Sequence, residues 1–169
     1  MVKERPGVLI PRRLWRSMSD DGWVKKGGGR QVRTGGIRIP QAALDEMVSH
    51  ARAESPNECC GLLIGTADAI VQVARARNLR PSPDRFLIDP EAQFEAIRRG
   101  RAAGLAVLGA YHSHPQSAAS PSATDRSEVG CQEGLCVIVS LEHDPRGPDV
   151  RAYRLEGGNF RPVALVVRG

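Results

Sequence analysis

The stretch GAYHSHPQSAASPSATD, residues 109–125, is the most informative part of this chain. Its two histidines, His112 and His114, close an apolar run that predicts a buried β-strand. Because side chains on a strand alternate between its two faces, residues at i and i+2 point to the same side. Both imidazoles are therefore expected to face one space from the rigid end of a strand.

A carboxylate follows the second histidine by eleven positions, at a predicted helix start. The pattern Pro121-Ser122-x-x-Asp125 is typical of a helix N-terminus, with Ser122 as N-cap and Asp125 at the third helical position. Asp125 could simply stabilise that terminus, a gain of roughly 0.3–1 kcal/mol. Two histidines and one carboxylate are also sufficient protein ligands for a catalytic zinc, which keeps its fourth position for water. We therefore predict that His112, His114 and Asp125 bind Zn²⁺.

The same residues resemble the signature of the JAMM (MPN-plus) metalloprotease family. His-Ser-His-Pro occupies residues 112–115. Seven residues lie between His114 and Ser122, and two lie between Ser122 and Asp125. The family also has a Glu at the head of an apolar strand, and Glu58 takes that place in NECCGLLIG. The resemblance covers roughly residues 37–167. It implies a cytidine-deaminase-like fold, in which helices flank a mixed β-sheet.

The resemblance also implies two catalytic roles. Glu58 would take a proton from water and pass it to the leaving amine, and Ser122 would stabilise the developing oxyanion. Glu54 and Glu128 are alternatives for the base, but Glu54 belongs to a helix end and Glu128 to a helix turn, so Glu58 is preferred. The Ser-x-x-Asp spacing is also close to that of a capping box, in which the Ser122 hydroxyl would only accept a hydrogen bond from a backbone N–H. Ser113 faces away from the metal and is expected to pack or to support the ligands.

Strand and helix patterns alternate along the chain and predict one α/β domain. Pro40 can open a first helix that Pro56 closes, and a second helix starting at Asp89 carries Phe94 and Ile97. The segment 78–88 is expected to be a short connection, and 115–119 a mobile rim. The predicted strands are Cys60–Ile64, Ile70–Arg77, Leu105–His112, Leu135–Leu141, Val150–Leu155 and Phe160–Val167, and a third helix runs from Ser122 to about Val129.

The charge is unevenly distributed. The net charge is +5 over 169 residues, yet residues 1–35 hold nine basic against three acidic residues, and the remainder is about neutral. Residues 1–35 also contain three consecutive glycines and no apolar periodicity. We predict a basic, flexible extension over 1–35 that is dispensable for activity, and a JAMM domain over 36–169. A basic extension can touch nucleic acid, but a solvated extension is the preferred interpretation.

The four cysteines show no Cys-x-x-Cys spacing and are expected to be small, partly buried thiols of a reducing compartment. The first residues have only Val8-Leu9-Ile10 as an apolar patch, too short for a secretory signal. An apolar run near 18 residues is missing from the sequence, so a membrane span is not expected. These features predict a cytoplasmic location, and they leave the oligomeric state open.

The candidate ligand set and the family resemblance together imply a zinc-dependent hydrolase of amide or isopeptide bonds. The chain is too short for the insertions with which ubiquitin-chain-cleaving members of the family grip two ubiquitins. The chain is similar to the short prokaryotic members of the family, which resemble enzymes that cleave after the C-terminal Gly-Gly of ubiquitin-like or sulfur-carrier proteins. Such a carrier protein is the predicted partner. A non-catalytic MPN-type scaffold in a larger assembly is the alternative. A zinc deaminase would need His-x-Glu and Pro-Cys-x-x-Cys, which do not occur here.

Overall fold

One mixed β-sheet organises the described part of the molecule. The structure is a computed structural model that describes residues 36–128, 133–142 and 147–169, and the side chain of Glu128 is not described. Within these ranges the strands are β1 (Ile37–Pro40), β2 (Cys60–Thr66), β3 (Ala69–Ala76), β4 (Ala106–His114), β5 (Glu133–Ser140), β6 (Asp149–Glu156), β7 (Asn159–Val163) and β8 (Leu165–Arg168). The helices are α1 (Gln41–Glu54), α2 (Pro90–Ala102) and α3 (Ala123–Glu128).

The sheet order is β7-β6-β5-β4-β2-β3-β1-β8. The pairs β4/β5, β1/β3 and β1/β8 are parallel, and the remaining neighbours are antiparallel. The two end strands β7 and β8 are separated in sequence by Ala164 alone. Because consecutive Cα atoms are about 3.8 Å apart, the two ends of the sheet must approach each other. The sheet therefore curls into a near-barrel, and Ala164 O accepts a hydrogen bond from Ile37 N at 2.8 Å.

Helices cover the sheet from two sides. The inner side of α1 presents Ala43, Met47, Val48 and Ala51 to a core that includes Tyr111 of β4. The inner side of α2 presents Ala96 and Ile97 to a second core cluster with residues of β2 and β4. Alternation along β4 explains the division, since Tyr111 belongs to the first cluster and its neighbour His112 faces the other side. The predicted mixed sheet flanked by helices is confirmed.

The predicted elements are present, with three differences. Pro40 ends β1 and precedes α1, and β1 is not predictable from the sequence because four residues are too few for a periodic signal. The single strand predicted over Phe160–Val167 is wrong: the chain forms β7 and β8, which pair at opposite ends of the sheet. Phe94 was expected on the apolar positions of α2, but its side chain is 63% exposed, and Gln93 takes a buried position instead.

Three of the four cysteines lie in described residues and are free thiols: Cys59 and Cys60 are buried and Cys136 is partly exposed. Burial raises the pKa of Cys59 to about 11 and that of Cys60 to about 12, so both stay protonated. Cys131 and the predicted extension over 1–35 fall outside the described residues. A membrane-crossing helix, long and apolar enough for the task, is not found among the residues that the structure describes.

Candidate metal centre

The histidine pair sits at the C-terminal end of β4, in the middle of the sheet. His112 is opposite Cys60 of β2 and opposite Ile138 of β5, and His114 is opposite Ser140. Both side chains are nearly inaccessible, at 2% and 3% exposure. Because β4 is paired on both sides, the backbone that carries the two imidazoles is fixed. The sequence-based prediction placed β4 only as far as His112, and the strand in fact continues through His114.

Asp125 reaches the histidines from the first turn of α3. Its backbone N donates to Ser122 Oγ at 3.0 Å, and its Oδ2 accepts from Ser122 N at 2.7 Å. This reciprocal pair is a capping box with Asp in place of the usual Glu or Gln. The cap orients the carboxylate, so the structural role that the sequence offered to Ser122 is present. The capping bond uses the hydroxyl oxygen as an acceptor, and the hydroxyl hydrogen is a separate donor.

The three side chains converge on one point. His112 Nε2 is 3.2 Å from His114 Nε2 and 3.2 Å from Asp125 Oδ1, and His114 Nε2 is 3.3 Å from Asp125 Oδ2. Ligands at 2.0–2.1 Å from a tetrahedral Zn²⁺ lie about 3.3 Å from one another. Each separation is close to that edge length, and the two histidines face different oxygens of Asp125. With one ligand atom from each residue, all three atoms lie within 4.8 Å of one another, so this donor set of two imidazoles and one carboxylate suits a zinc ion.

The segment between the histidines and α3 fixes the ligands from outside. His114 Nδ1 lies 2.8 Å from Ala118 O, a contact that places the proton on Nδ1 and leaves the Nε2 lone pair for a metal. Ser140 Oγ donates to Ser117 O at 2.6 Å, and Tyr153 Oη donates to Ala119 O at 2.7 Å. Three successive carbonyl groups are thus bound. The sequence assigned this segment only as a mobile rim, and its role in orienting His114 was missed.

Burial and hydrogen bonding set the charges in the cluster. Burial alone would raise the pKa of Asp125, but the contacts with both histidines and the hydrogen bond from Ser122 N hold that pKa well below its usual range. Burial lowers the pKa of His112, which keeps this imidazole neutral. For His114 burial acts in the same direction, yet the contacts with Asp125 and Ala118 O outweigh it and raise the pKa. A carboxylate anion beside two imidazoles is the charge state that a divalent cation requires.

Glu58 is the acidic residue beside this cluster. It precedes β2 by two residues, and the antiparallel register that pairs Cys60 with His112 places Glu58 opposite His114 when it is continued. Glu58 Oε1 lies 3.8 Å from His114 Nε2, and the residue is only 3% exposed. Glu54, the alternative, is exposed at the end of α1. Glu128 ends α3, and its side chain is outside the described part of the structure.

Ser113 lies on the opposite side of β4 from the ligands. Its Oγ accepts a hydrogen bond from Cys59 N at 2.8 Å, and its own N donates to Cys59 O at 3.1 Å. The residue is fully buried. Ser113 thereby ties β4 to the residue that follows Glu58, and this contact supports the arrangement of the ligands and the carboxylate.

Two side chains beside His112 were missed by the sequence analysis. The Phe86 ring stacks on the His112 imidazole, with centroids 4.6 Å apart and planes 22° from parallel. Cys136 Sγ lies 4.0 Å from His112 Nδ1. Phe86 belongs to the segment 78–88, which lies against the site rather than acting as a plain connection. No local spacing signals these contacts, because they depend on how separate segments meet.

Comparison with known proteins identifies the family. Residues 40–156 match the family model of the prokaryotic homologs of the JAB domain (Prok-JAB). The chain belongs to this prokaryotic JAMM/MPN family. A solved structure of a protein from Desulfitobacterium hafniense is similar with a TM-score of 0.71 and 32% identity, over 78% of this chain and 92% of that one. A JAB1/MPN domain protein from Archaeoglobus fulgidus shares the fold, with a TM-score of 0.50, 22% identity, and coverage of 79% and 98%.

Curated relatives carry functional names. The chain is 34% identical to a probable TtuB-protein conjugate cleaving protease of Thermus thermophilus, over 83% of this chain and 92% of the relative. It is 34% identical to a desampylase of Haloferax volcanii, over 78% and 96%. It is 32% identical to a CysO-cysteine peptidase of Mycobacterium tuberculosis, over 73% and 86%. Two of these names are those of a protease and a peptidase, and the first specifies that a protein conjugate is cleaved.

Proposed function

We propose that this protein is a zinc-dependent hydrolase of amide or isopeptide bonds that acts after the C-terminal Gly-Gly of a ubiquitin-like or sulfur-carrier protein. One observation carries the proposal: His112 Nε2 and His114 Nε2 lie 3.2 Å apart and each lies 3.2–3.3 Å from an oxygen of Asp125, with Glu58 Oε1 3.8 Å from His114 Nε2. The names of the Thermus, Haloferax and Mycobacterium relatives support the substrate class.

The metal would be held by His112 Nε2, His114 Nε2 and a carboxylate oxygen of Asp125. Zinc, when bound there, supplies a Lewis acid that polarises a carbonyl oxygen and lowers the pKa of water to about 7. The orienting contacts that favour this binding are the cap of Ser122 on Asp125 and the contact between His114 Nδ1 and Ala118 O. Both stand outside the ligand set and hold the ligand atoms in place.

Glu58 would move the proton. Its carboxylate takes one proton from the water that attacks the scissile carbonyl carbon, and it returns that proton to the amine nitrogen as the C–N bond breaks. A group in this role contributes typically about 10²–10⁴-fold to the rate. The near-complete burial of Glu58 excludes bulk water from its carboxylate, and its position at the head of a paired strand keeps it beside the ligands.

Ser122 would stabilise the negative oxygen of the tetrahedral intermediate. Its oxygen accepts from Asp125 N in the cap of α3, and this bond holds the hydroxyl beside the residue that supplies the carboxylate. The hydroxyl hydrogen can then point to the substrate oxygen. A donor of this kind is worth about 10²–10³ in kcat when its partner is an oxyanion.

The restricted approach to the ligands favours a tail of glycines. His112 and His114 are 2–3% exposed, and the Phe86 ring covers one face of His112. An extended Gly-Gly tail has no side chains to exclude from such a groove, and its backbone can add strand-like hydrogen bonds beside β4. The chemistry of the tail therefore matches the confinement of the site.

The proposal is tested with a carrier protein that bears an amino acid or a lysine side chain joined after its Gly-Gly. Glu58→Gln is expected to lower kcat at least about 100-fold while the protein keeps about one zinc per chain. Glu54→Gln is the matched control, since Glu54 is exposed, and it should turn over normally. Asp125→Ala should lower the zinc content measured by elemental analysis. Normal turnover by Glu58→Gln would refute the assigned base, and a metal-free, inert wild-type protein would favour a scaffold.

The substrate class has its own test. Replacing the second glycine of the tail by a bulky residue should slow cleavage far more than exchanging the leaving amine. Equal cleavage of both carriers, or efficient cleavage of free dipeptides alone, would contradict the carrier proposal and indicate a general small-peptide hydrolase.

A further inference from the structure

The Asn78 carboxamide sits at the centre of the segment 78–88. Its Nδ2 donates to Glu58 O at 3.0 Å and to Arg85 O at 3.2 Å. Its Oδ1 accepts from Arg80 N and from Leu87 N, both at 2.9 Å. Both partners of Nδ2 are carbonyl oxygens and both partners of Oδ1 are N–H groups, so the orientation of the amide is determined. The side chain uses its full capacity of two donors and two acceptor lone pairs.

The segment 78–88 binds both backbone polar groups of Glu58, its C=O and its N–H. Glu58 O accepts from Asn78, and Glu58 N donates to Ser82 O at 2.8 Å in the same segment. The pairing of β2 with β4 starts only at Cys60. The main chain of Glu58 is thus bound by the segment 78–88, and Asn78 contributes the side-chain part of that grip.

The same amide also holds the residues on either side of Phe86. Arg85 O and Leu87 N are both bonded to Asn78, and the Phe86 ring between them stacks on His112. The Asn78 side chain therefore connects two parts of the site. One is the backbone of Glu58, whose carboxylate lies beside the proposed metal ligands. The other is the Phe86 ring, which covers one face of His112.

We propose that Asn78 is a positioning residue for the reaction: it sets the place of the Glu58 carboxylate relative to the metal ligands and fixes Phe86 over His112. This inference rests on the proposed function. Asn78 touches neither the ligands nor the reacting atoms, and it acts through Glu58. A displacement of a catalytic group by about 1 Å can lower a rate about 100-fold. An amide in this place therefore affects kcat more than it affects substrate binding.

Two substitutions separate this role from simple support of the turn. Asn78→Asp has nearly the same shape and keeps the acceptor for Arg80 N and Leu87 N, so two bonds of the turn stay formed. It lacks both donors and turns an oxygen toward Glu58 O and Arg85 O, which repels them. Asn78→Ala removes all four bonds. If Asn78 served only the turn, both variants would lower the stability of the protein, Asn78→Ala more than Asn78→Asp, and kcat of the folded variants would stay at the wild-type level.

The experiment measures kcat and KM on the carrier conjugate, the zinc content, and amide hydrogen exchange in the peptide that contains Glu58. Asn78→Asp is expected to lower kcat at least about 10-fold with KM changed less than about threefold. Zinc content should stay at the wild-type level, and exchange at Glu58 should accelerate. Arg80→Ala is the control, because its backbone N–H still bonds Asn78, and it should match wild type.

Each outcome bears on one proposal. A wild-type kcat in Asn78→Asp would overturn the positioning role, and so would unchanged exchange at Glu58. A loss that appears in KM alone would overturn it as well, since that result describes substrate binding. Failure of the wild-type protein to cleave any carrier conjugate would instead refute the proposed function, and the exchange measurement would still decide whether Asn78 holds Glu58.

Discussion

The Ser122 hydroxyl combines a structural bond with a donor that a substrate oxygen can use. Its oxygen accepts from Asp125 N, and that bond is part of the box that orients Asp125, one of the three proposed metal ligands. The two roles predict different responses to substitution. Loss of the cap lowers stability, whereas loss of the hydroxyl hydrogen lowers the rate of the chemical step.

Ser122→Ala is expected to destabilise the protein by about 1 kcal/mol through the lost cap and to lower kcat about 10²–10³-fold through the lost donor. Ser122→Gly should lower kcat equally while stability falls by only a few tenths of a kcal/mol, because glycine is tolerated at N-caps. Denaturant unfolding and steady-state kinetics measure the two effects. If kcat fell in proportion to the lost free energy of unfolding in both variants, Ser122 would act only as the N-cap of α3.

Phe86 is expected to support metal retention through its stacking on His112. Phe86→Ala leaves one face of that imidazole uncovered, and loss of such outer contacts typically lowers metal affinity about 10–100-fold. Phe94→Ala is the control, since Phe94 is 63% exposed on α2 and makes the same change of composition. Competition with a chromogenic chelator measures both variants. Equal zinc retention by the two would show that the stacking contributes nothing to binding.

The residues of the site differ in how far local sequence determines them. His112 and His114 were predictable because a strand period of two is a local property, and Asp125 because a helix cap is. Phe86 and Asn78 had no such signal. Their contacts form only when the segment 78–88 folds against β4 and the residues ahead of β2, so the relevant distances join residues 20 or more positions apart.

At the scale of elements, a buried polar contact joins α1 to β4 directly behind the candidate metal centre. His50 Nδ1 lies 2.9 Å from Tyr111 Oη, and both residues are buried. Burial lowers the pKa of His50, with Arg75 acting in the same direction and Glu54 and Glu46 opposing it. The folded protein therefore holds this imidazole in its neutral form.

This contact predicts an acid-sensitive stability. The unfolded chain binds the His50 proton at a pKa of about 6.5, and the folded chain binds it only at lower pH. The stability from this group is fully present above about pH 6.5 and falls as the pH drops below it, by at most about 1.4 kcal/mol per pH unit. His50→Gln should show a smaller loss between pH 7.5 and 5.5 in denaturant unfolding. An unchanged difference would exclude His50 as the titrating group.

At the scale of the whole molecule, the end of the chain shows where sequence patterns stop being informative. Residues 160–167 look like one strand, and they form two because the sheet curls until its ends meet at Ala164. Ala164, the residue between the two strands, accepts its hydrogen bond from Ile37, which lies more than 120 positions away in the sequence. Helix α1 and the central strands were predictable from their own periodicity, whereas this closure is a property of the complete sheet.

The closure of the sheet predicts a sharp limit for N-terminal deletion. Deleting residues 1–35 should leave the free energy of unfolding within about 0.5 kcal/mol of wild type and kcat at the wild-type level, because this segment has three consecutive glycines and no apolar periodicity. Deleting residues 1–40 also removes β1, which lies between β3 and β8 and buries Ile37 and Ile39 almost completely. Two such side chains contribute roughly 3–6 kcal/mol, a large part of a typical folding free energy of about 5–15 kcal/mol. Thermal unfolding and turnover of both truncated proteins provide the comparison. A loss of rate or stability already in the shorter deletion would mean that Trp15 or Trp23 packs against the catalytic body.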